Sequence, residues 1–260
     1  MRKILTQIYE IQTRAEAGQM IAAGVDHVGS VILSESDWRR PEIKETIDFV
    51  AQTDAKSSLI LLFHAREPVL AALEYYQPDI VHFCEILLEA PRDPSAALIP
   101  ARVCGELVAL QAEIRRQFPA MRVMRTIPIP DTSEGRRVPY LELAERFAPV
   151  SDFFLTDTLM AGGMHPDAQP VEGFVGITGL TCDWTSAARL VSESPIPVIL
   201  AGGLSPENVH EGILRVGPAG VDSCTRTNAV DAQGRPVRFQ KDPERVKKFV
   251  AEARRAAHEF

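Results

Sequence analysis

Residues 198–209 read VILAGGLSPENV, in which a short apolar run leads into two glycines and then into residues that open helices. The first four residues predict a buried strand. Gly202 and Gly203 predict a tight turn, and Ser205 followed by Pro206 is typical of a helix N-cap and first helical position. The loop between strand and helix therefore either turns the chain for packing alone or offers backbone N–H groups to an anion.

The alternation of strand and helix continues along the whole chain. Apolar strand-like runs occupy residues 4–11, 28–33, 58–64, 79–84, 122–127, 152–156, 173–176, 197–201 and 219–222. Helical stretches occupy residues 13–24, 41–53, 68–77, 101–117, 139–148, 183–193, 205–215 and 243–258. If 173–176 is a loop or a minor strand, eight strand–helix units remain. This α/β pattern predicts a (β/α)₈ TIM barrel that forms a single domain over residues 1–260.

Composition and charge narrow the class of protein. The 260 residues are 45% hydrophobic and 24% charged, which is typical of a globular protein. The formal net charge of −7 argues against a broad surface for nucleic acid or for an anionic membrane. The four cysteines form no C-x-x-C pair, so we expect free thiols in a cytoplasmic protein rather than a disulfide framework. No apolar run approaches the roughly 20 residues that cross a bilayer.

The longest irregular segments all follow predicted strands, at residues 85–100, 128–138, 158–172 and 223–240. In a (β/α)₈ barrel this places them at the carboxyl-terminal face, where ligands bind. His165 lies in the third of these segments and could belong to a lid. The sequence therefore predicts a barrel whose carboxyl-terminal loops are enlarged to form the site.

Polar side chains that can bind metals also fall near this face, namely His64, His82, Cys84, Glu85 and Asp157. Their spacing matches no diagnostic zinc or manganese motif. We therefore expect no cofactor and keep a metal site only as an alternative. His27, His210 and His258 fall on helices or strand edges and are expected at the surface.

Four blocks in the second half resemble, in the same order, those of the phosphoribosylanthranilate isomerase family, a barrel of the tryptophan pathway. They are DFFLTDT (152–158), GITGLTCDW (176–184), LAGGLSPENV (200–209) and GVDSCTRTN (220–228), the last followed by KDPERVKKFV (241–250). The likeness covers about residues 150–250. It implies that Asp157 occupies the position of the family's catalytic aspartate.

The first half resembles the family only faintly, through AGVDHVGSVI at residues 23–32. Counting back from this block places the family's Lys-Ile-Cys-Gly-Ile-Thr on QIYEIQ at residues 7–12. Tyr9 then stands at the catalytic cysteine and Glu10 at the glycine that follows it. An alignment on KILT would put Leu5 there instead, and neither alignment supplies a cysteine.

The resemblance also implies residues that bind the substrate. On the fourth strand, VHFCE places His82 and Cys84 at substrate-binding positions. The arginine that holds a substrate carboxylate falls on Arg39 or Arg40, within SDWRRPE. Arg125 is a further candidate for this group of residues.

The family reaction is an Amadori rearrangement of an aminoaldose phosphate, which needs an acid to open the sugar ring and a base to take a proton from the neighbouring carbon. Asp157 suits the acid, since a partly buried carboxyl can have a raised pKa. Tyr9 is a poor base because a phenol has a pKa of about 10 unless a cation, such as Arg125 or His82, lies beside it. Glu10 suits a base better by pKa, but strand alternation predicts that it points away from the face occupied by Tyr9.

The phosphate site is predicted where the loops after three late strands meet. Gly179, Gly202 and Gly203 can supply N–H groups, and Thr225 can supply a hydroxyl. Arg226 stands where the family has glycine, so its guanidinium could clamp a phosphate or fill the pocket. The same glycines would also suit a tight turn alone.

The leading hypothesis is an enzyme, related to the family, that acts by acid–base chemistry on a small anionic, phosphorylated sugar-type compound. Because the thiol base is missing, we expect it not to be an efficient phosphoribosylanthranilate isomerase. Three alternatives stay open: a genuine isomerase that uses Tyr9, Glu10 or Cys84 as base, a non-catalytic ligand-binding barrel, and a metal-dependent epimerase or aldolase. A homodimer is possible, and no nucleic-acid or membrane partner is expected.

Overall fold

A computed structural model describes residues 3–89, 98–131, 138–159, 174–175 and 179–259. Its centre is a closed barrel of eight parallel strands in the order β1-β10-β9-β8-β7-β4-β3-β2. These strands are β1 (Leu5–Ile8), β2 (His27–Ile32), β3 (Lys56–Leu61), β4 (Ile80–Phe83), β7 (Arg122–Pro130), β8 (Phe153–Leu159), β9 (Val198–Leu200) and β10 (Gly220–Ser223). The predicted (β/α)₈ TIM barrel is confirmed.

Helices follow the barrel strands and pack outside them. They are α1 (Arg14–Ala22), α2 (Pro41–Val50), α3 (Arg66–Tyr76), α4 (Cys104–Gln117), α5 (Tyr140–Phe147), α6 (Trp184–Glu193), α7 (Val209–Val216) and α8 (Pro243–Ala257). Local sequence explains where two of these helices begin. Thr13 and Glu16 form a capping box at the start of α1. Asp242 is the N-cap of α8, and Pro243 follows it at the first helical position.

In residues 198–209, the helix begins later in the structure than the sequence predicts. Helix α7 begins at Val209 with Asn208 as its N-cap, instead of at Ser205. The Ser205 hydroxyl accepts a hydrogen bond from the Glu207 backbone, and the Ser205 carbonyl accepts bonds from the next two N–H groups after Glu207. Ser205 therefore stabilises a separate turn that lengthens the loop after the two glycines.

The described residues also form two short antiparallel sheets of two strands each outside the barrel. One pairs β5 (Leu88–Glu89) with β6 (Ile99–Pro100), and the other pairs β11 (Asn228–Val230) with β12 (Pro236–Lys241). The second is a hairpin over residues 228–241, and all but its last residue lies in the segment 223–240, which the sequence predicts as irregular. Its Phe239 packs against a cluster of buried side chains that includes Tyr9. The hairpin therefore forms part of the wall above the carboxyl ends of the strands.

Side-chain packing inside the barrel near its mouth requires a glycine at position 29. The Tyr9 ring lies against Gly29 of the neighbouring β2, and a Cβ at Gly29 would approach the ring to 2.2 Å. Tyr9 itself is only 3% exposed. A large side chain at position 9 is thus accommodated because its neighbour has none.

Within the described residues, the structure holds no helix that is both long enough and apolar enough to span a membrane.

We predict that Gly29→Ala destabilises the fold by about 1–3 kcal/mol, because the new methyl group overpacks the Tyr9 ring. Gly105→Ala is the matched control, since a Cβ there meets no atom within 4 Å. Gly105 lies in α4, so this control should be neutral or stabilising by up to about 1 kcal/mol. Urea unfolding of both variants measures the difference, and equal effects would contradict the packing assigned to Tyr9.

Candidate active site

The loops after β9 and β10, together with Gly179, surround a cavity of about 40 Å³ at the carboxyl end of the barrel. Gly179, Gly202 and Gly203 have φ values of +65°, +92° and +62°, a region that side-chain-bearing residues rarely adopt. Among the described residues, the N–H groups of Gly202 and Gly203 donate no hydrogen bond. They are free to bind an oxyanion.

These glycines are also required by close packing. A Cβ at Gly203 would lie 2.5 Å from the Leu180 carbonyl carbon, and one at Gly202 would lie 2.6 Å from the Thr158 hydroxyl. The tight turn and the anion cradle, which the sequence leaves as alternatives, therefore use the same bare backbone.

Arg226 bridges two loops at the edge of this cavity. Its Nε and one terminal nitrogen donate to the Gly179 carbonyl at 2.9 and 2.7 Å. Arg226 lines the cavity together with Thr225, and the cavity stays open beside it. The guanidinium therefore does not plug the cradle, and its charge lies next to the free N–H groups.

A second cavity, of about 60 Å³, adjoins the first and shares Asp157, Asp222 and Cys224 with it. Most of its wall is apolar, and that part consists of Val31, Ile60, Leu62, Leu155, Phe174 and Val175. Its polar groups come from Tyr9, Glu10, His82 and Thr126. A phosphate in the first cavity would therefore place the rest of its molecule over the two aspartates.

Asp157 lies on β8, where the strand enters the mouth. One of its carboxylate oxygens accepts a 2.7 Å hydrogen bond from the Thr158 backbone. Burial raises its pKa to about 6, and the Thr158 bond opposes this only in part. A carboxyl in this position can hold a proton close to neutral pH, as a general acid requires.

Asp222 is the site residue that the sequence did not single out. It lies on β10, is 7% exposed, and accepts a 3.1 Å hydrogen bond from the Gln7 side-chain amide. Burial raises its pKa to about 7, and the negative charge of Asp157 adds to the effect. The aspartate inside the block GVDSCTRTN, at the end of a predicted strand, was the signal that could have found it.

Tyr9 forms the centre of a buried hydrogen-bonded chain. Its hydroxyl lies 2.6 Å from the Ser58 hydroxyl and 2.8 Å from His82 Nδ1, while His82 Nε2 lies 2.8 Å from the Thr126 hydroxyl. Burial raises the pKa of Tyr9 well above its usual value and lowers that of His82 to about 3. His82 is thus neutral and supplies no cation to activate Tyr9.

Strand alternation predicts that Glu10 points away from the face occupied by Tyr9, and this prediction is wrong. The strand ends at Ile8, and Glu10 takes a φ of +64°, which turns its side chain to the rim of the Tyr9 cavity. Burial would raise its pKa, but the charges of Lys241 and Arg238 lower it. Glu10 accepts hydrogen bonds from the Arg238 guanidinium, so it anchors the β11–β12 hairpin as an ion pair.

Cys84, which the sequence predicts as a substrate-binding residue, lines the second cavity, and its thiol is a poor base. It is 5% exposed, and burial raises its pKa well above the usual value, with the charge of Glu85 adding to the effect. His64 is exposed and lies beside the Phe174 ring. Across the part of the chain that the structure describes, no three His, Cys, Asp or Glu side chains are grouped so that they could hold a metal ion.

The structure does not bring Arg125 to the cavity. Its neighbour Thr126 faces the barrel interior, so alternation along β7 turns Arg125 outward, where it is fully buried. Its guanidinium pairs with Glu85 at 2.5 Å and with Gln111 of α4 at 2.8 Å. Arg125 therefore joins the barrel to its helices instead of contacting a substrate.

Arg39 and Arg40 also lie outside both cavities. The Arg39 guanidinium stacks 4.9 Å from the Trp38 ring and 5.5 Å from the Tyr75 ring. Arg40 is exposed, is the N-cap residue of α2 and pairs with Glu42 in the first turn of that helix. Trp38 and Arg39 of the loop after β2 contact Tyr75 of α3, and neither predicted carboxylate-binding arginine lines a cavity at the barrel mouth.

Among the histidines predicted to be at the surface, His27 is instead buried, at 5% exposed. Its Nδ1 lies 3.0 Å from the Gln7 side-chain oxygen, which can only accept, so His27 donates this bond. Burial lowers its pKa to about 4, so it is neutral. His165, the predicted lid residue, lies outside the described residues.

The fold and site define a (β/α)₈ barrel whose mouth holds a glycine-lined cavity beside two carboxyls with raised pKa values. The family model of N-(5'-phosphoribosyl)anthranilate (PRA) isomerase matches residues 111–252. The chain belongs to this family, which confirms the resemblance found in the sequence blocks.

Individual relatives agree with this assignment. The PRA isomerase of Methanocella arvoryzae is 33% identical over 141 residues, which are 54% of each chain. The chain thus spans about half the length of this relative. That of Rhodopseudomonas palustris is 28% identical over 95% of this chain and 94% of its own. The solved PRA isomerase structure from Pyrococcus furiosus has a TM-score of 0.63 at 21% identity, covering 97% of this chain and all of that one (100%).

We predict that Gly203→Ala abolishes binding of inorganic phosphate, because a Cβ would collide with the backbone of Leu180 and displace the cradle. Gly234→Ala is the matched control: it also has a positive φ, of +77°, but a Cβ there meets no atom within 4 Å. Calorimetric titration with phosphate measures both variants. Equal affinity of the two would show that the cradle does not hold the anion.

We predict that Arg125→Met lowers the free energy of unfolding by about 3–5 kcal/mol, because it leaves the Glu85 carboxylate buried without its partner. The double variant Arg125→Met/Glu85→Leu should recover most of this loss, since it removes both charges. Urea unfolding measures stability. Phosphate titration of the double variant should give the wild-type affinity, and a loss of affinity would return Arg125 to the binding site.

Proposed function

We propose that this protein is an aldose–ketose isomerase that performs the Amadori rearrangement of a phosphorylated aminoaldose of the phosphoribosylanthranilate type. The observation that carries the proposal is that Asp157, with its raised pKa, lines both cavities. A single ligand can therefore place its phosphate at Gly202 and Gly203 while its sugar ring reaches the acid.

Asp157 acts in the first step by giving its proton to the ring oxygen, which opens the sugar to an iminium. Binding the phosphate at fixed N–H groups holds the ring oxygen in place for this transfer. Thr225 and Arg226 complete the anion site. His82 and Cys84 border the second cavity, where they would shape the space for the open-chain sugar.

The apolar wall supplies the rest of the substrate specificity. Phe174, Leu62 and Val31 form a buried cluster with Tyr9, and Phe239 packs on it from the β11–β12 hairpin. An aromatic amine fits such a wall, because burying its ring removes apolar surface from water. The amine substituent of the aminoaldose would lie here.

Family membership favours a genuine PRA isomerase that uses a substituted base. The expectation that the missing thiol excludes efficient isomerisation has no support from the comparisons, which include a PRA isomerase matched along almost the whole chain. The proposal therefore takes phosphoribosylanthranilate itself as the first substrate to test. One barrel domain over the whole chain and a homodimer remain predictions.

Expression of the gene in a tryptophan auxotroph that lacks PRA isomerase should restore growth. Asp157→Asn should not, because an amide cannot donate the proton, and its kcat should fall by about 10²–10⁴-fold. Steady-state assay of purified protein with freshly generated phosphoribosylanthranilate measures this loss. Phosphate affinity of Asp157→Asn should stay at the wild-type value, which shows that the site is still folded.

A ligand-binding barrel would behave differently. Wild-type protein would then bind phosphate and show no turnover, and Asp157→Asn would change neither property. This result would exclude the isomerase.

A further inference from the structure

The proposed isomerisation needs a base, and the groups around the family's thiol position are unsuited to it. Tyr9 and Cys84 both have pKa values well above their usual ones because they are buried. Glu10 is held by Arg238, and nearby cations lower its pKa. A weakly basic carboxylate inside an ion pair is a poor acceptor for a carbon-bound proton.

Asp222 lines the same cavity as Tyr9, Glu10 and Cys84. It pairs in register with Gln7, two residues before Tyr9, and both cavities include it in their walls. Gln7 donates to Oδ1 of Asp222. Among the residues that the structure describes, Oδ2 has no hydrogen-bond partner, so this oxygen can take a proton from a ligand.

Asp222 and Asp157 flank one strand at the same height. Leu155 and Gly220 both pair with Ile199 of β9, and each aspartate lies two residues further along its own strand. Residues two apart point to the same face, so both carboxyls point into the barrel. Two strand spacings put their Cα atoms about 10 Å apart, which leaves room for a sugar carbon chain between the carboxyls.

We infer that Asp222 is the general base of this enzyme and that Gln7 is the residue that positions it. The inference rests on the proposed isomerase function. It replaces the thiol on β1 with a carboxylate on the neighbouring β10.

The proton balance is simple. After Asp157 has opened the ring, Oδ2 of Asp222 takes the proton from C2 of the iminium. The electron pair of the broken C2–H bond forms the C1=C2 double bond, and the iminium π electrons move to the nitrogen. The resulting enol becomes the ketone when its hydroxyl proton is lost and C1 gains a proton.

Two carboxyls that share one proton can supply both an acid and a base, and their positions beside the ligand assign the two roles. Burial raises the pKa of Asp222 to about 7 and that of Asp157 to about 6, so near neutral pH the two carboxyls share about one proton. One acid and one base are therefore present together. The order of the two pKa values favours the proton on Asp222, and the reaction uses the less populated form in which Asp157 holds it. Asp222 also faces Lys241, whose charge opposes the shift, and the neutral Tyr9 and Cys224.

Gln7 matters because its amide is uncharged. The family resemblance places lysine at this position, and a cation there would hold Asp222 ionised with a low pKa. The neutral amide fixes Oδ1 by one hydrogen bond, and His27 orients the amide from its other side. Gln7 thus positions the carboxylate without removing its basicity.

The first test is Asp222→Asn, which should lower kcat by about 10³-fold because the amide cannot accept the C2 proton. Asp48→Asn is the control, since Asp48 is exposed on α2, where it pairs with Lys44. Phosphate affinity should match wild type in both variants. An active wild-type enzyme with an equally active Asp222→Asn variant would overturn the base assignment alone, whereas an inactive wild-type enzyme would overturn the isomerase and the base together.

The second test separates positioning from packing through the pH profile. Activity needs ionised Asp222, so kcat/KM should fall as pH drops through its pKa. Gln7→Lys should move this acidic limb to lower pH, because a cation lowers the Asp222 pKa. Gln7→Leu, which is the safer variant for folding, removes a hydrogen bond that lowers the pKa and should move the limb to higher pH. Unmoved limbs in folded variants would overturn the role of Gln7.

Discussion

The site depends on the removal of water from two carboxyls. Asp157 and Asp222 lie at the mouth of a closed barrel whose walls leave them little solvent, and burial is the main cause of the raised pKa of each. Their mutual repulsion adds to the shift for Asp222. A pair of ordinary surface aspartates would both be ionised at neutral pH, so the barrel wall itself provides the acid.

A hydrogen-bonded chain of neutral polar side chains lies in the barrel interior near the two carboxyls. Tyr9, Ser58, His82 and Thr126 bond to one another across the interior, and burial holds the tyrosine and the histidine in their neutral forms. A chain of neutral groups adds no competing charge beside the aspartates. The large ring of Tyr9 fits there because β2 offers glycine as its neighbour.

The β11–β12 hairpin gives the site its own outer wall. It is attached through Arg238 to Glu10, a residue whose left-handed backbone turns it out of the strand direction. Phe239 of the same hairpin, also at positive φ, packs on the apolar cluster. Two unusual backbone positions are therefore joined to each other at the point where the ligand would enter.

The sequence by itself determined the barrel and the family and located the glycine-rich turn after β9, because hydrophobic periodicity and glycine-rich turns are local signals. It also placed Asp157 at a strand end. Only the tertiary structure pointed to Asp222 as the proposed base and showed that Arg39, Arg40 and Arg125 lie outside the two cavities. The hydrogen bond between Gln7 and Asp222 joins residues 215 positions apart in the chain, and Arg125 is turned outward and buried by its place in β7. Sequence spacing carries neither the pairing of distant strands nor the burial that shifts a pKa.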